Sequence, residues 1–206
     1  ITLNIPSEYE GMKITKIGDN AFKNLNSNAL AKVVIPDSVT YIGKYAFSQK
    51  YDTVIILPDT LTYIDDNAFE YCVFSGDGDR ASLVLGSSLK NIGSEAFKDS
   101  QFNGNLVIPD SIESVGDYAF YGVDFGGRLT LGDGIKSIGS HAFYSNEFFG
   151  DLIIPNNVTE IGEYAFSLNG FSYLSISDNM TVIKAGTFSQ MGSLSRGVEF
   201  GDEITH

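Results

Sequence analysis

The chain of 206 residues holds a single cysteine, Cys72, so no internal disulfide can form. A cytosolic protein fits that, and so does a bacterial surface protein built without disulfides, so the compartment stays open. Basic residues are scarce, with 13 Lys and Arg against 26 Asp and Glu and a net charge of −13. Binding to phosphate backbones or anionic lipid needs clustered cations, so neither nucleic acid nor a charged membrane surface is an expected partner. No apolar run approaches the length of a membrane span. The first residues lack the basic and apolar regions of a secretion signal, which is therefore expected to be absent or already removed. Two histidines, His141 and His206, are a poor catalytic inventory, and the chain has no GxSxG, Walker or HExxH motif. No enzyme and no cofactor are expected.

Proline is scarce too, and its scarcity is patterned. All five prolines, Pro6, Pro36, Pro58, Pro109 and Pro155, occupy one position of a repeated unit. Segments such as LIIPNNVTEIGEYAF recur, and the Ile or Val of each Ile-Gly pair falls at 17, 42, 64, 92, 115, 138, 161 and 183. The steps of 22 to 28 residues match a leucine-rich repeat period of about 20–29 residues. Before the proline position, apolar residues alternate as in a half-buried strand, and proline ends the strand where the chain must turn. Further apolar columns follow: Val39 to Met180, then Ile42 to Ile183, then each Ala-Phe pair, then Phe74, Phe102, Phe125, Phe148 and Phe171. No single unit can close a core, so stacked neighbours must bury these columns. The glycine after each Ile is expected to supply a positive φ. Asp65 and Lys184 break that column, and local distortion is expected at Lys184.

The pattern L-x-I-P-x-x-V-T-x-I-G-x-x-A-F resembles the BspA-like class of leucine-rich repeats, over eight units and part of a ninth. The resemblance implies a right-handed solenoid spanning 1–206 as one domain, with one short parallel strand per coil and a tight helical turn at each Ala-Phe. A parallel β-helix is the alternative fold. Members of the class often carry a cysteine three residues after the Phe. Cys72 is the one instance here and reads as a small packing residue. The resemblance also implies a non-enzymatic protein-interaction module, extracellular or at the cell surface, with adhesion or host-protein recognition as its role. A structural spacer or accessory domain is the alternative. The tail restarts a unit, which suggests a piece of a longer array, and open end coils leave end-to-end self-association possible.

If the flanking apolar residues of each strand point inward, those between them point outward: Val34, Ile56, Val84, Val107, Thr130 and Ile153. With rim residues such as Arg128 and Tyr173 they form a candidate protein-binding face. The weak metal candidate is GDGDR at 76–80, where Asp77 and Asp79 flank a glycine, but EF-hand spacing and the terminal Glu are missing. A solvated loop is the better reading. Titration calorimetry with calcium should give no heat, and calcium should not raise the melting temperature; either response would restore the site.

Overall fold

The computed structural model describes residues 2–23, 25, 32–50, 54–74, 82–192 and 194–200. In chain order the strands are β1 (Thr2–Asn4), β2 (Glu8–Tyr9), β3 (Met12–Lys13), β4 (Lys16–Ile17), β5 (Lys32–Val34) and β6 (Tyr41–Ile42). Then come β7 (Val54–Ile56), β8 (Tyr63–Ile64), β9 (Asn91–Ile92), β10 (Gly104–Ile108), β11 (Ser114–Val115) and β12 (Gly126–Leu131). The last are β13 (Ser137–Ile138), β14 (Phe149–Ile153), β15 (Glu160–Ile161), β16 (Gly170–Ile176) and β17 (Gly197–Phe200).

These strands build a parallel β-solenoid with two strand-bearing sides. One side is an unbroken sheet of seven two-residue strands, β4-β6-β8-β9-β11-β13-β15. The other carries the strands that precede each proline position and falls into three sheets, β1-β5-β7, β10-β12 and β14-β16-β17. We call this second side the strand face. The five extra residues of the first unit lie in an antiparallel hairpin, β2 and β3, whose turn residues Glu10 and Gly11 both have positive φ. That is the geometry of a tight primed hairpin turn.

The Ala-Phe segment is a turn, as expected, but not a helical one, and the described residues contain no helix. The reason is where its amides go. Tyr45, Phe47 and Gln49 donate their N–H groups to the carbonyls of Asp66, Ala68 and Glu70 in the next coil, at 3.2, 2.8 and 2.8 Å. Alternate amides thus serve a third inter-coil ladder and are lost to any i→i−4 helix. Two left-handed residues per coil make this possible, such as Tyr45 (φ 54) with Gln49 (φ 60), and His141 (φ 55) with Ser145 (φ 55).

Positive φ therefore falls two residues after the glycine column, which corrects the sequence expectation for Gly18, Gly43, Gly93, Gly116, Gly139 and Gly162. These glycines serve close approach instead. A Cβ on Gly139 would sit 2.4 Å from the Asp117 amide nitrogen, and one on Gly162 would sit 2.2 Å from that of Ser140. Gly18, in the first unit, has nothing within 4 Å. At the other end, Lys184 occupies the glycine position of the eighth unit. Residues 181–184 join no strand, and Ile183, expected inside, is exposed. Asp65 fills the same position in the third unit and keeps the ladder, its N–H bonding the Ile42 carbonyl at 2.9 Å, so the break at 181–184 is particular to the eighth unit.

The core is a pair of ring stacks. Phe22, Phe47, Phe69, Phe97, Phe120, Phe143, Phe166 and Phe188 stack from coil to coil with centroids 5.1 to 5.9 Å apart. Phe74, Phe102, Phe125, Phe148 and Phe171 form the second stack. Beside them runs a mostly buried column three residues after the Phe, whose hydrogen-bonding role spacing alone did not show. Lys50, Cys72, Ser100, Asn146 and Asn169 make it polar in five units, and Leu25, Val123 and Met191 fill it in the others. Cys72 donates to the Phe47 carbonyl at 3.0 Å, Asn146 to Phe120 at 2.8 Å and Asn169 to Phe143 at 2.8 Å. Lys50 threads its amine to the Lys23 and Leu25 carbonyls at 2.8 and 2.9 Å, and burial lowers its pKa. Where the position is polar it is a donor site for carbonyls of the preceding coil, a role that Cys, Ser, Asn and Lys all fill.

If close approach selects the glycines, Gly139→Ala should cost about 1–3 kcal/mol in urea unfolding, because backbone must move. Gly18→Ala should be close to neutral, since its Cβ meets nothing. Equal losses at the two sites would refute the assignment.

Candidate functional site

The β-strand period fixes what each side offers. On the strand face Val33, Leu106, Leu129 and Leu152 turn inward and are buried. The residues between them turn outward: Val34, Ile56, Val84, Val107 and Ile153 are 37, 59, 73, 55 and 51% exposed, and Thr130 is exposed as well. Register sets Val34 beside Ile56, Val107 beside Thr130, and Ile153 beside Ser175. The apolar members thus form a stripe across the first half of the array.

Towards the C-terminal end the same face turns polar. Arg128 lies over the Phe149 ring, its guanidinium carbon 5.7 Å from the centroid. Arg196 pairs with Asp151 and lies 5.8 Å over the Tyr173 ring. The Tyr173 phenol bonds Glu199, and that bond raises its pKa. Phe149 and Arg196 were not found from sequence. Phe149 hides beside the core Phe148, and Arg196 lies where the last unit has drifted from the repeat.

A row of carboxylates borders the stripe just past the strand ends. Asp37, Asp59, Asp110 and Asp133 are exposed, and none makes an ion pair with a described residue. Between β7 and the next coil the face is interrupted. Among the described residues, Ser82–Leu85 form no strand and no backbone hydrogen bond to either neighbour. A cavity of about 630 Å³ opens there, lined by Ile55, Leu57, Phe74, Leu83 and Phe102, with Asp37 and Asp59 at one end.

The remaining sequence candidates do not assemble into chemistry. Asp77 and Asp79 lie outside the described residues. His141 is stacked between the Tyr118 and Tyr164 rings, at 4.7 and 5.1 Å. Among the described residues, no group of three or more His, Cys, Asp or Glu is placed to hold a metal. No helix there is long and apolar enough to cross a membrane.

The BspA type leucine rich repeat region matches residues 15–76 and 73–195, in six copies. The chain belongs to this family. No curated protein matches it. Among solved structures, a leucine rich cell surface protein from Faecalibacterium prausnitzii is similar, with a TM-score of 0.60 and 21% identity over 98% of this chain. The match covers 64% of that protein, so this BspA-type chain spans less than two thirds of it. A leucine-rich repeat protein from Bacteroides ovatus also matches, with a TM-score of 0.48 and 21% identity over 100% of this chain and 70% of that one. At such identities the likeness concerns the fold alone. Leucine-rich repeat proteins usually bind proteins and are generally non-catalytic.

In this BspA-type chain the cysteine of the polar column is inert by construction. Cys72 is 1% exposed, and burial pushes its thiol up to about 12. The thiolate that would attack an electrophile is therefore absent near neutral pH. Iodoacetamide at pH 8 should leave native Cys72 unmodified and label it only in denaturant; rapid labelling of the folded protein would contradict this packing.

Proposed function

We propose that the chain is a non-enzymatic protein-interaction module of a bacterial cell-surface protein, serving adhesion or host-protein recognition through its strand face. The observation that carries this reading is the contrast between the two strand-bearing sides. The seven-stranded side presents Lys16, Tyr41, Tyr63, Asn91, Ser114, Ser137 and Glu160 beside its buried column. The strand face presents Val34, Ile56, Val84 and Val107. Both sides need residues that suit a strand, so β-propensity alone does not explain why only one is apolar. A contiguous exposed apolar surface is costly in water and marks contact with a partner. The face also changes character along the array, from the aliphatic stripe to the Arg128, Asp151, Tyr173 and Arg196 cluster. A spacer has no need of such a gradient. The family assignment and the likeness to a cell-surface protein support the location.

The test is a panel of immobilised host extracellular proteins read by surface plasmon resonance. A partner found there should bind the Val84→Asp/Val107→Asp double variant about tenfold more weakly or worse, with the circular dichroism unchanged. Ser114→Asp/Ser137→Asp, on the other side, should bind as the parent does. Equal losses would displace the site from the strand face, and a folded chain that binds nothing would favour a spacer.

A further inference from the structure

We propose that Arg128, held over the exposed Phe149 ring towards the C-terminal end of the strand face, receives a carboxylate side chain of the partner protein, from an acidic segment with apolar neighbours. The inference rests on the interaction-module reading and specifies the partner's chemistry.

Two bulges build the place. Gly104 pairs with Gly126 and Leu106 with Leu129, so Asn105 faces Gly127 and Arg128 together. Two coils on, Gly150 pairs with Phe171 and Asp151 with Tyr173, which leaves Ser172 as the extra residue. Bulges are rare between parallel strands, and they re-aim the side chains beside them. Each bulge here anchors one arginine. The Arg128 amide donates to the Asn105 side chain at 2.8 Å, and the Arg196 amide donates to the Ser172 carbonyl at 2.9 Å. Both guanidiniums then lie over rings, Arg128 on Phe149 at 5.7 Å and Arg196 on Tyr173 at 5.8 Å. Gly150, with φ 85, makes room for the first. A Cβ there would stand 3.0 Å from a guanidinium nitrogen of Arg128.

Charge decides what such a site takes. The carboxylates beside these rings are engaged, Asp151 by Arg196 and Glu199 by the Tyr173 phenol. Arg128 makes no ion pair with a described residue, although the chain carries a net charge of −13. A ring engages only the face of a guanidinium. The N–H groups stay free in its plane, as the fork that matches a carboxylate bidentately. Apolar neighbours of that carboxylate also find contacts, because Phe149 and Ile153 are 47 and 51% exposed. That combination suits a protein segment better than an acidic sugar. Repulsion from the rest of the acidic chain is screened beyond about 8 Å at physiological salt, so the local arrangement governs.

The probes are short end-capped peptides that alternate valine with glutamate, glutamine or lysine, followed at physiological salt by fluorescence anisotropy and amide chemical shifts. The glutamate peptide should bind at least about tenfold more tightly than the other two and shift the amides of Arg128, Phe149 and Gly150. Arg128→Gln should weaken it about tenfold with the melting temperature unchanged. Arg128→Lys keeps the charge but not the fork, and should weaken it several-fold. A glutamate peptide that binds no better than the glutamine one overturns the proposal. So does equal binding by the parent and Arg128→Gln, above all if the melting temperature falls, which would make the ring stack structural only. Sialyllactose shifting these amides where no peptide does would overturn it in favour of an acidic sugar. A panel partner lost by Val84→Asp/Val107→Asp but bound at full strength by Arg128→Gln would overturn this site and leave the strand face a contact surface, so the two readings fail separately.

Discussion

The close approach of successive coils is the constraint on which the rest of the molecule depends. Each turn of the solenoid lies one strand spacing from the next, about 4.8 Å. At that distance the Gly139 and Gly162 positions have no room for a Cβ, and backbone amides reach the neighbouring coil on three sides. Rings stacked at 5.1 to 5.9 Å fill the interior at the same repeat. No unit owns its core; every buried ring and carbonyl is completed by the coil before or after it.

Buried polar groups follow the same rule. A turn built from left-handed residues leaves carbonyls such as Phe47, Phe120 and Phe143 pointing into the stack. Cys72, Asn146 and Asn169 answer them from the next coil. Leaving a buried carbonyl unpaired costs about 1–3 kcal/mol, which favours a donor of varied identity in five of the units, while Leu25, Val123 and Met191 fill the position by packing alone. Lys50 shows how far that drift reaches: an amine serves where a thiol or amide does elsewhere, at the expense of a lowered pKa.

Stacking fixes the inward residues and leaves the outward ones free to differ, so function is expected on the surface. The two strand-bearing sides share one backbone logic yet carry unlike side chains, polar on the unbroken sheet and aliphatic on the strand face. The carboxylate row and the open cavity lie against the aliphatic part, at the longest repeat step. Apolar surface, free backbone groups and uncompensated charge thus converge at one point of an otherwise regular array.

The sequence by itself determined the repeat, the parallel stacking, the inward columns and the outward stripe, because each follows from periods of two and of about 23 residues that survive in any local reading. It also marked Lys184 as the place where the pattern would fail. It did not determine the role of the glycines, the non-helical turn or the donor column. Those depend on distances between residues some 23 apart, which neither propensity nor spacing encodes. Val84 was readable as an outward residue from its neighbours alone. That its strand fails to pair, and that a cavity opens beside it, was decided only by the tertiary structure, where the backbone of one coil must meet the next.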